Sequence, residues 1–304
     1  MSNSDRLARF RKLNRKVDAP APETDAAVPE PDTDGSDNAP VTADTAQTAA
    51  DPAPAPVNRE KIGWVSPSYS VSRAVTLCPD KVAARRCVAF SQDTAAIDAY
   101  KVLRTQILQR TKKSGGRTIM VTSARHGEGK TTTAINLSFT FAREFLQTVL
   151  LVDCDLQHQD VHRYLCYDND HGLIDYLLDD KPVSELITWP GIEKLTVISG
   201  GRTIEESSEL LGSPRMRDLV ADMKSRYPER YVIFDVPGLL SSADALVFAP
   251  LVDHILVVVQ EGQTSLPEIQ RAVATLPADK VLGLLLNRHK GSHIVTDPRR
   301  RSNA

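Results

Sequence analysis

The most constraining feature of this sequence is a glycine-rich octapeptide, Ala124–Thr131 (ARHGEGKT), which lies between segments of different structural preference. The short apolar run TIMVT precedes it and predicts a buried strand, whereas the residues that follow it predict a helix. The octapeptide matches the Walker A pattern with Ala in place of the first Gly. A strand, a glycine turn and a helix in this order predict a phosphate-binding loop.

The chemistry of phosphate binding explains the residue types of this loop. Gly127 and Gly129 allow the backbone to curl so that several N–H groups point at phosphate oxygens. Lys130 is predicted to bind the β- and γ-phosphates of a nucleotide, and the Thr131 hydroxyl to bind Mg²⁺. The predicted nucleotide-binding residues of the loop are Gly127, Glu128, Gly129, Lys130, Thr131 and Thr132.

Two further apolar strands end in aspartate. LLVDCDL carries Asp153 and Asp155, whose side chains share one face if the strand continues, because side chains alternate along a strand. VIFDVPG ends its strand at Asp235. Strand-end aspartates also serve as turn formers. Three of them around one phosphate loop favour a Mg²⁺ site.

Apolar strands alternate with helices after residue 92, and this order predicts the fold class. We expect an α/β protein of the P-loop NTPase type. It should have a three-layer α/β/α arrangement with a mostly parallel central sheet, and a disordered N-terminal extension. The strands are continuously apolar, so helices should cover both faces of the sheet. Ligands should then bind at the carboxyl ends of the strands.

The first 58 residues differ in composition from the rest. Residues 1–17 hold six Lys or Arg and one acid, and residues 18–58 hold nine acids, eight Pro and no Lys or Arg. We predict a basic N-terminal segment plus an acidic disordered linker over 1–58, an extended arm over 59–92, a P-loop nucleotide-binding domain over 93–290 and a basic disordered tail over 291–304.

The basic segment has two interpretations. Leu7, Phe10, Leu13 and Val17 share one side of a helix, as in a segment that contacts anionic lipid or a partner protein. A frayed, solvated tail explains the same residues, because so short a helix is marginal alone.

Composition excludes several functional classes. A net charge of −2 argues against a highly basic nucleic-acid binder, so no nucleic-acid partner is expected. Four Cys without a close pair argue against a disulfide scaffold and a Cys-rich zinc module. No apolar run approaches the length of a membrane span, and the N-terminus lacks the apolar region of a secretory signal.

Seven segments together resemble a known family. They are DAYKVLRTQI from Asp98, SARHGEGKTTTAINL from Ser123, VLLVDCDL from Val149, SELL from Ser208, YVIFDVPG from Tyr231, ADAL from Ala243 and LGLLLNR from Leu282. The chain resembles the bacterial tyrosine kinase (BY-kinase) family, in particular the CpsD/CapB-like cytoplasmic kinases of polysaccharide synthesis. The resemblance covers roughly residues 64–288, and the Asp-x-Asp segment combined with this phosphate loop is its specific part.

This resemblance implies an enzyme, a non-specific protein-tyrosine kinase that uses ATP and Mg²⁺ and regulates exopolysaccharide or capsule synthesis and export. It implies catalytic roles for Lys130, Asp153 and Asp155, with Asp155 as the base for a tyrosine hydroxyl, whose ordinary pKa is about 10. It also implies that Thr131, Asp153 and Asp235 hold the Mg²⁺, directly or through water. Asn287 matches a position that contacts adenine in related ATPases.

The resemblance also implies partners and a location. A membrane-anchored activator of the chain-length or polysaccharide co-polymerase type and a protein tyrosine substrate would be the partners. The protein would be cytoplasmic and peripheral at the inner face of the plasma membrane. The family's assembly motif appears as Asp98, Lys101 and Arg104, which predicts a homo-oligomer through these residues, although Lys lacks the fork of Arg.

The sequence departs from the family at three points. The usual C-terminal tyrosine cluster is absent: the last tyrosine is Tyr231, and Tyr69 is an internal candidate acceptor. Gln157 stands where the family often has Arg. Gly238 stands where it has a second Pro.

Two alternative functions stay open at this point. A ParA/MinD-type ATPase switch would have the same fold, but that class carries a lysine early in the loop, where this chain has Arg125 followed by His126. An ATP-binding regulatory scaffold with weak kinase activity is compatible with the missing tyrosine cluster.

One further cluster suggests a different chemistry. His158 and His162 are four residues apart, with Asp160 and Cys166 nearby, as a zinc site on a helix would require. Cys154, between the two aspartates, is expected to be a small buried side chain.

Overall fold

A single sheet organises the part of the chain that the structure, a computed structural model, describes, which is residues 72–169 and 171–289. Its strands are β1 (Arg73–Ala74), β2 (Thr118–Ser123), β3 (Thr148–Asp153), β4 (Ile187–Trp189), β5 (Leu195–Ile198), β6 (Arg230–Asp235), β7 (His254–Gln260) and β8 (Val281–Asn287). They lie in the order β1-β4-β5-β3-β6-β2-β7-β8. All neighbours are parallel except β4 and β5.

Helices connect these strands and cover both faces of the sheet. They are α1 (Pro79–Ala84), α2 (Thr94–Ser114), α3 (Lys130–Ala142), α4 (Val161–Leu165), α5 (Leu173–Asp179), α6 (Val183–Leu186), α7 (Ser207–Leu211), α8 (Pro214–Arg226), α9 (Asp244–Phe248) and α10 (Leu266–Ala274). Short 3₁₀ turns occupy Ala249–Leu251 and Ala278–Lys280. In the described ranges no helix is both long enough and apolar enough to cross a bilayer.

Side chains of each central strand point alternately to the two faces of the sheet, so the hydrophobic core consists of two clusters, one on each face. In β2, Met120 packs with the cluster under α5 and α7–α9, whereas Ile119 and Val121 pack with the cluster under α1–α4. In β6, Phe234 and Ile233 divide in the same way. A strand buried on both faces has to be apolar at every position, which is the pattern that predicted a covered parallel sheet. The predicted fold class is confirmed.

The sheet places three strand ends side by side. β2 lies between β6 and β7, and β6 lies between β2 and β3. Asp153 at the end of β3 pairs in register with Asp235 at the end of β6. Val121, two residues before the end of β2, pairs with Asp235 as well. The phosphate-loop candidate, which follows β2, therefore starts beside both acidic strand ends.

Residues 72–92 differ from the extended arm that the sequence predicts. They contain β1, which pairs with β4, and α1, whose first residue is Pro79. Val82 and Cys87 are fully buried. The Asn136 side chain on α3 holds this segment, because its Oδ1 accepts from the Val88 N–H at 2.8 Å and its Nδ2 donates to the Arg86 carbonyl at 2.9 Å.

Other details also depart from expectation or fall outside the described residues. The antiparallel strand β4 was not predicted; it directly follows α6 and is only three residues long. The predicted N-terminal segment, acidic linker, first part of the arm and basic tail lie outside the described residues, as does Tyr69. The predicted domain boundaries stay predictions.

We expect Asn136→Ala to lower the free energy of unfolding by about 2 kcal/mol, because it leaves the buried Val88 N–H and Arg86 carbonyl without partners. Urea unfolding followed by circular dichroism measures the loss. Trypsin should also cleave faster after Arg86. The exposed Gln270→Ala is the control; equal stability of the two variants would show that Asn136 does not hold the segment.

Candidate functional site

The phosphate-loop candidate adopts the backbone conformation that its glycines permit. Gly127 has φ +85° and Gly129 has φ +96°, both in the left-handed region that side chains with a Cβ rarely adopt. Gly129 caps the N-terminus of α3, so Lys130 is the first residue of that helix. A Cβ at Gly129 would also overlap the side-chain amide of Asn287. The loop therefore needs glycine at 129 for two independent reasons.

Side chains inside the loop and on β8 fix its shape. The buried Glu128 carboxylate accepts from the Arg125 N–H at 2.7 Å and from the Thr264 hydroxyl. Asn287 donates from Nδ2 to the Glu128 carbonyl at 2.7 Å, and Arg288 donates to the Gly127 carbonyl at 3.0 Å. Glu128, predicted as a nucleotide-binding residue, thus turns its side chain toward the protein.

A buried ionic cluster lies directly beside the loop. The Lys130 Nζ is 2.7 Å from Asp155 Oδ2 and 3.4 Å from Asp235 Oδ1. The Thr131 hydroxyl donates to Asp235 Oδ2 at 2.6 Å. Asp153 and Asp235 are fully buried, and Asp155 and Lys130 nearly so. The structure therefore brings together the lysine, the threonine and the acids that the sequence singled out.

Asp153 reaches the cluster in a different way from the one that strand alternation suggests. β3 ends at Asp153, so Asp155 lies in the loop that follows. Asp153 Oδ1 accepts from the Asp155 N–H at 3.1 Å, and its Oδ2 accepts from the Val161 N–H at 3.1 Å. Asp153 thus orients the loop that presents Asp155, in addition to contributing negative charge.

Burial and neighbouring charges shift the pKa of each of the four charged groups. Burial lowers the pKa of Lys130, but the carboxylates of Asp235 and Asp155 outweigh it and raise that pKa above its ordinary value. Burial, followed by the charge of Asp235, raises the pKa of Asp153 well above its ordinary value. Burial raises the pKa of Asp235 too, against the opposing charge of Lys130. For Asp155, burial is outweighed by Lys130, and the pKa is lowered.

The oxygen donors of the cluster fit Mg²⁺. No three His, Cys, Asp or Glu side chains converge as a preformed metal cage within residues 72–169 and 171–289. Mg²⁺ does not require such a cage, since it is usually bound by one or two carboxylates together with substrate phosphates and water. The Thr131 hydroxyl and the carboxylates of Asp235 and Asp153 are hard oxygen donors of the appropriate kind.

A cleft of about 780 Å³ opens beside Gly129 and Thr132. Its walls include Tyr100, Gly129, Thr132, Asn136, Tyr164 and Asn287. Thr132 and Asn287, both predicted as nucleotide-binding residues, therefore line one cleft beside Gly129. Asn287 is constrained there by its bond to the Glu128 carbonyl.

Gln157 and Gly238, which differ from the family pattern, both have close neighbours in the structure. Gln157 donates from Nε2 to the Ser207 hydroxyl at 2.9 Å, and that hydroxyl donates to buried Asp244 at 2.7 Å. A Cβ at Gly238 would lie 2.8 Å from Ser241 Oγ and 3.0 Å from the Arg125 carbonyl carbon. Gly238 thus allows the segment after β6 to approach the phosphate loop closely.

The three residues of the predicted assembly motif make different contacts. Lys101 and Asp98 form an exposed ion pair at 2.9 Å. Arg104 donates to the Thr140 carbonyl at 3.0 Å and pairs with Glu144 at 2.6 Å. Arg104 is therefore engaged within its own chain.

The zinc alternative is wrong for the residues that the structure describes. α4 begins at Val161, so His158 precedes the helix that carries His162. His158 instead contacts Asp155, with Nδ1 3.3 Å from Oδ1. Its ring centroid lies 5.0 Å from that of His126 in the phosphate loop. Sequence reasoning missed this His126–His158 pair, for which no local signal exists.

Comparison with known proteins identifies the family. A profile described as an AAA domain matches residues 116–279. The tyrosine-protein kinase YwqD of Bacillus subtilis (strain 168) is 32% identical over 195 residues, which are 64% of this chain and 81% of YwqD. The chain belongs to the bacterial tyrosine kinase family. As a member of this family it is a protein-tyrosine kinase, a transferase of phosphoryl groups.

Other relatives are longer than this chain. The tyrosine-protein kinase Etk of Escherichia coli (strain K12) is 29% identical over 195 residues, which are 64% of this chain and 26% of Etk. The solved kinase domain of E. coli Etk is 26% identical with a TM-score of 0.58, covering 65% of this chain and 79% of that domain. The kinase domain of this family, with its P-loop NTPase fold, therefore accounts for most of the described residues.

The raised pKa values of Asp153 and Asp235 make a testable prediction about stability. Between the unfolded pKa of about 4 and the raised folded values, the folded protein binds protons that the unfolded chain does not. The unfolding free energy of the nucleotide-free and magnesium-free protein should therefore rise as pH falls from the raised folded pKa values toward the unfolded pKa of about 4, by about 1.4 kcal/mol per pH unit for each extra proton.

Urea unfolding of the wild type and of the double variant Asp153→Asn, Asp235→Asn isolates this effect, because the two proteins share all other titrating groups. We expect the double variant to lose the rise, and the exposed control Asp279→Asn to retain it. Parallel pH profiles for the wild type and the double variant would contradict the assignment.

Proposed function

We propose that this tyrosine kinase transfers the γ-phosphoryl group of ATP, bound with Mg²⁺, to tyrosine hydroxyls of proteins, and thereby regulates exopolysaccharide or capsule synthesis and export. The observation that carries the proposal is the buried contact of Lys130 with Asp155 and Asp235 beside the phosphate loop. There the Lys130 ammonium contacts two carboxylates whose pKa values are shifted in opposite directions. This arrangement suits a phosphate-binding lysine, a base (Asp155) and a metal ligand (Asp235).

Each residue has a role in this proposal. Backbone N–H groups of Gly127–Thr132 and the start of α3 hold the phosphates. Lys130 neutralises the β- and γ-phosphates, and Thr131, Asp235 and Asp153 would hold Mg²⁺, which supplies charge neutralisation of the phosphates. The cleft lined by Thr132 and Asn287 would hold the nucleoside.

The Lys130–Asp155 ion pair explains how the base is controlled. Lys130 at 2.7 Å lowers the pKa of Asp155, so the carboxylate is a weak base while the pair persists. Phosphate oxygens compete for the same ammonium. When Lys130 turns to them, the main influence that lowers the pKa of Asp155 is removed, and the carboxylate becomes a better acceptor for the proton of a phenol.

The positions of the tyrosines favour an acceptor on another molecule. Of the six tyrosines that the structure describes, Tyr227 is the exposed one, at 40%. It precedes β6, whose far end carries Asp235, and six strand residues span about 20 Å. Tyr227 is therefore remote from its own Asp155. Tyr69 lies outside the described residues and stays a candidate.

The proposal includes partners and a location. A membrane-anchored co-polymerase-type protein would be the activator, and the kinase would act in the cytoplasm at the inner face of the plasma membrane, where the basic residues of 1–17 can contact anionic lipid. Self-association would use the exposed Asp98 and Lys101, since Arg104 is already paired.

A phosphotyrosine assay tests the reaction. Purified protein with ATP, Mg²⁺ and a cytoplasmic fragment of the membrane partner should yield phosphotyrosine. Lys130→Ala should abolish it, and Asp155→Asn should reduce kcat by about 10²- to 10⁴-fold, because the base is lost while the phosphate loop is kept. Anti-phosphotyrosine blotting and parallel ADP measurement provide the readouts, with exposed Asp279→Asn as the control.

The same assay separates the alternatives. ADP production without phosphotyrosine on any protein would contradict the kinase proposal and favour a ParA/MinD-type switch. ATP binding with neither product would favour a regulatory scaffold.

A further inference from the structure

The surface next to Asp155 continues outward through two imidazoles. His158 contacts Asp155 Oδ1 with both its backbone N–H, at 3.1 Å, and its ring Nδ1, at 3.3 Å. The His126 ring lies 5.0 Å from the His158 ring, at an interplanar angle of 41°. Both residues are exposed. A row of two flat side chains therefore leads from the reactive carboxylate to the surface of the phosphate loop.

A cavity of about 410 Å³ begins at this row. We call it the acceptor groove, and it is lined by Arg125, His126, Leu240, Ser241, Glu268 and Arg271. Leu240 is fixed beside the phosphate loop because its N–H donates to the Ala124 carbonyl at 3.0 Å. Its side chain is nevertheless 39% exposed. The groove thus offers one apolar contact between polar walls.

The charge of the acceptor groove is positive. Glu268 is its single carboxylate, and it is already paired with Arg125 at 2.5 Å. The other Glu268 oxygen accepts from the Ser265 N–H at 3.0 Å and the Ser265 hydroxyl at 2.8 Å. Arg271 is exposed, and no carboxylate of residues 72–169 or 171–289 lies within ion-pairing distance of it. One cation of the groove is therefore available to a ligand.

We propose that the acceptor groove binds the polypeptide that flanks the acceptor tyrosine and that it selects a tyrosine with an acidic neighbour. The acidic side chain pairs with Arg271, an apolar side chain of the same peptide covers Leu240, and the phenol passes His126 and His158 to reach Asp155. This assignment rests on the proposed function, because it places the substrate of that reaction.

The phenol gives its proton to the Asp155 carboxylate, and its oxygen forms a bond to the γ-phosphorus of ATP. The bond from that phosphorus to the oxygen bridging the β-phosphate breaks, and the electron pair leaves with ADP. The groove contributes position only, so Arg271, which lies outside the phosphate loop, should affect which peptide is used and leave ATP hydrolysis unchanged.

The acceptor groove also makes a prediction about Tyr69, a tyrosine of the chain itself. Tyr69 lies in SPSYSVS, which contains no acidic residue. The groove therefore predicts that Tyr69 is a poor acceptor compared with a tyrosine in an acidic segment of another protein.

Three peptides that differ only beside one tyrosine, with Glu, Gln or Lys there, test the groove. We expect kcat/KM to be about two- to fivefold higher for the Glu peptide than for the Gln peptide, and lowest for the Lys peptide, as one exposed ion pair allows. The preference should weaken with added salt. Arg271→Glu should reverse the order while leaving ATP hydrolysis without peptide unchanged; Arg217→Glu, an exposed arginine on α8, should keep it.

A second pair of variants tests the apolar contact. Leu240→Asp should raise KM for all three peptides, whereas Leu246→Asp, a leucine of equal 39% exposure outside the groove, should leave it unchanged.

The outcomes separate the groove from the reaction. Phosphotyrosine formed equally on all three peptides would overturn the acceptor groove and leave the kinase intact. If no peptide is phosphorylated, the proposed function fails, and the groove is judged by binding alone. Anisotropy of fluorescein-labelled peptides with ADP-bound Asp155→Asn protein then supports the groove if affinity follows the charge order and overturns it if it does not.

Discussion

A lysine ammonium buried among aspartates is the interaction on which the rest of this structure depends. Lys130 touches Asp155 at 2.7 Å and Asp235 at 3.4 Å, and all three are almost wholly removed from solvent. Neither the ammonium nor the carboxylates could be buried alone, because an unpaired ion in a protein interior costs several kcal/mol. More carboxylates than cations share the cluster, so it is electrostatically strained. A bound cation would relieve that strain.

The strand order and register of the sheet position this cluster. β3, β6 and β2 are neighbours, and Asp153 and Asp235 lie in register at the ends of the first two. Apolar packing on both faces makes these strands rigid, since Phe234 and Ile233 are each fully buried on opposite sides. Groups fixed in this way need little reorganisation when charge develops during phosphoryl transfer. The loop is fixed as well, through Glu128, Asn287 and Arg288.

Local sequence was sufficient wherever the chemistry lies within a few residues. The loop at 124–131 and the acidic residues at or just after two strand ends, Asp153, Asp155 and Asp235, were all predicted from neighbouring residues. Contacts between distant residues were not. Nothing near Glu128 in sequence indicates Thr264, and nothing near Asn136 indicates the segment at 86–88. The same is true of Arg104, whose partner Glu144 is forty residues away.

The phosphate loop, the parallel character of the sheet and the family of the protein can be read from the chain, because each follows from residue types at short fixed spacing. The fold was needed to show that Lys130 pairs with Asp155, that Thr264 contacts Glu128 of the loop, and that His126 meets His158 beside the reactive carboxylate. Lys130 and His126 follow β2, Asp155 and His158 follow β3, and Thr264 follows β7. Their geometry depends on strand order and on how the core packs, and neither is encoded in the spacing of residues along the chain.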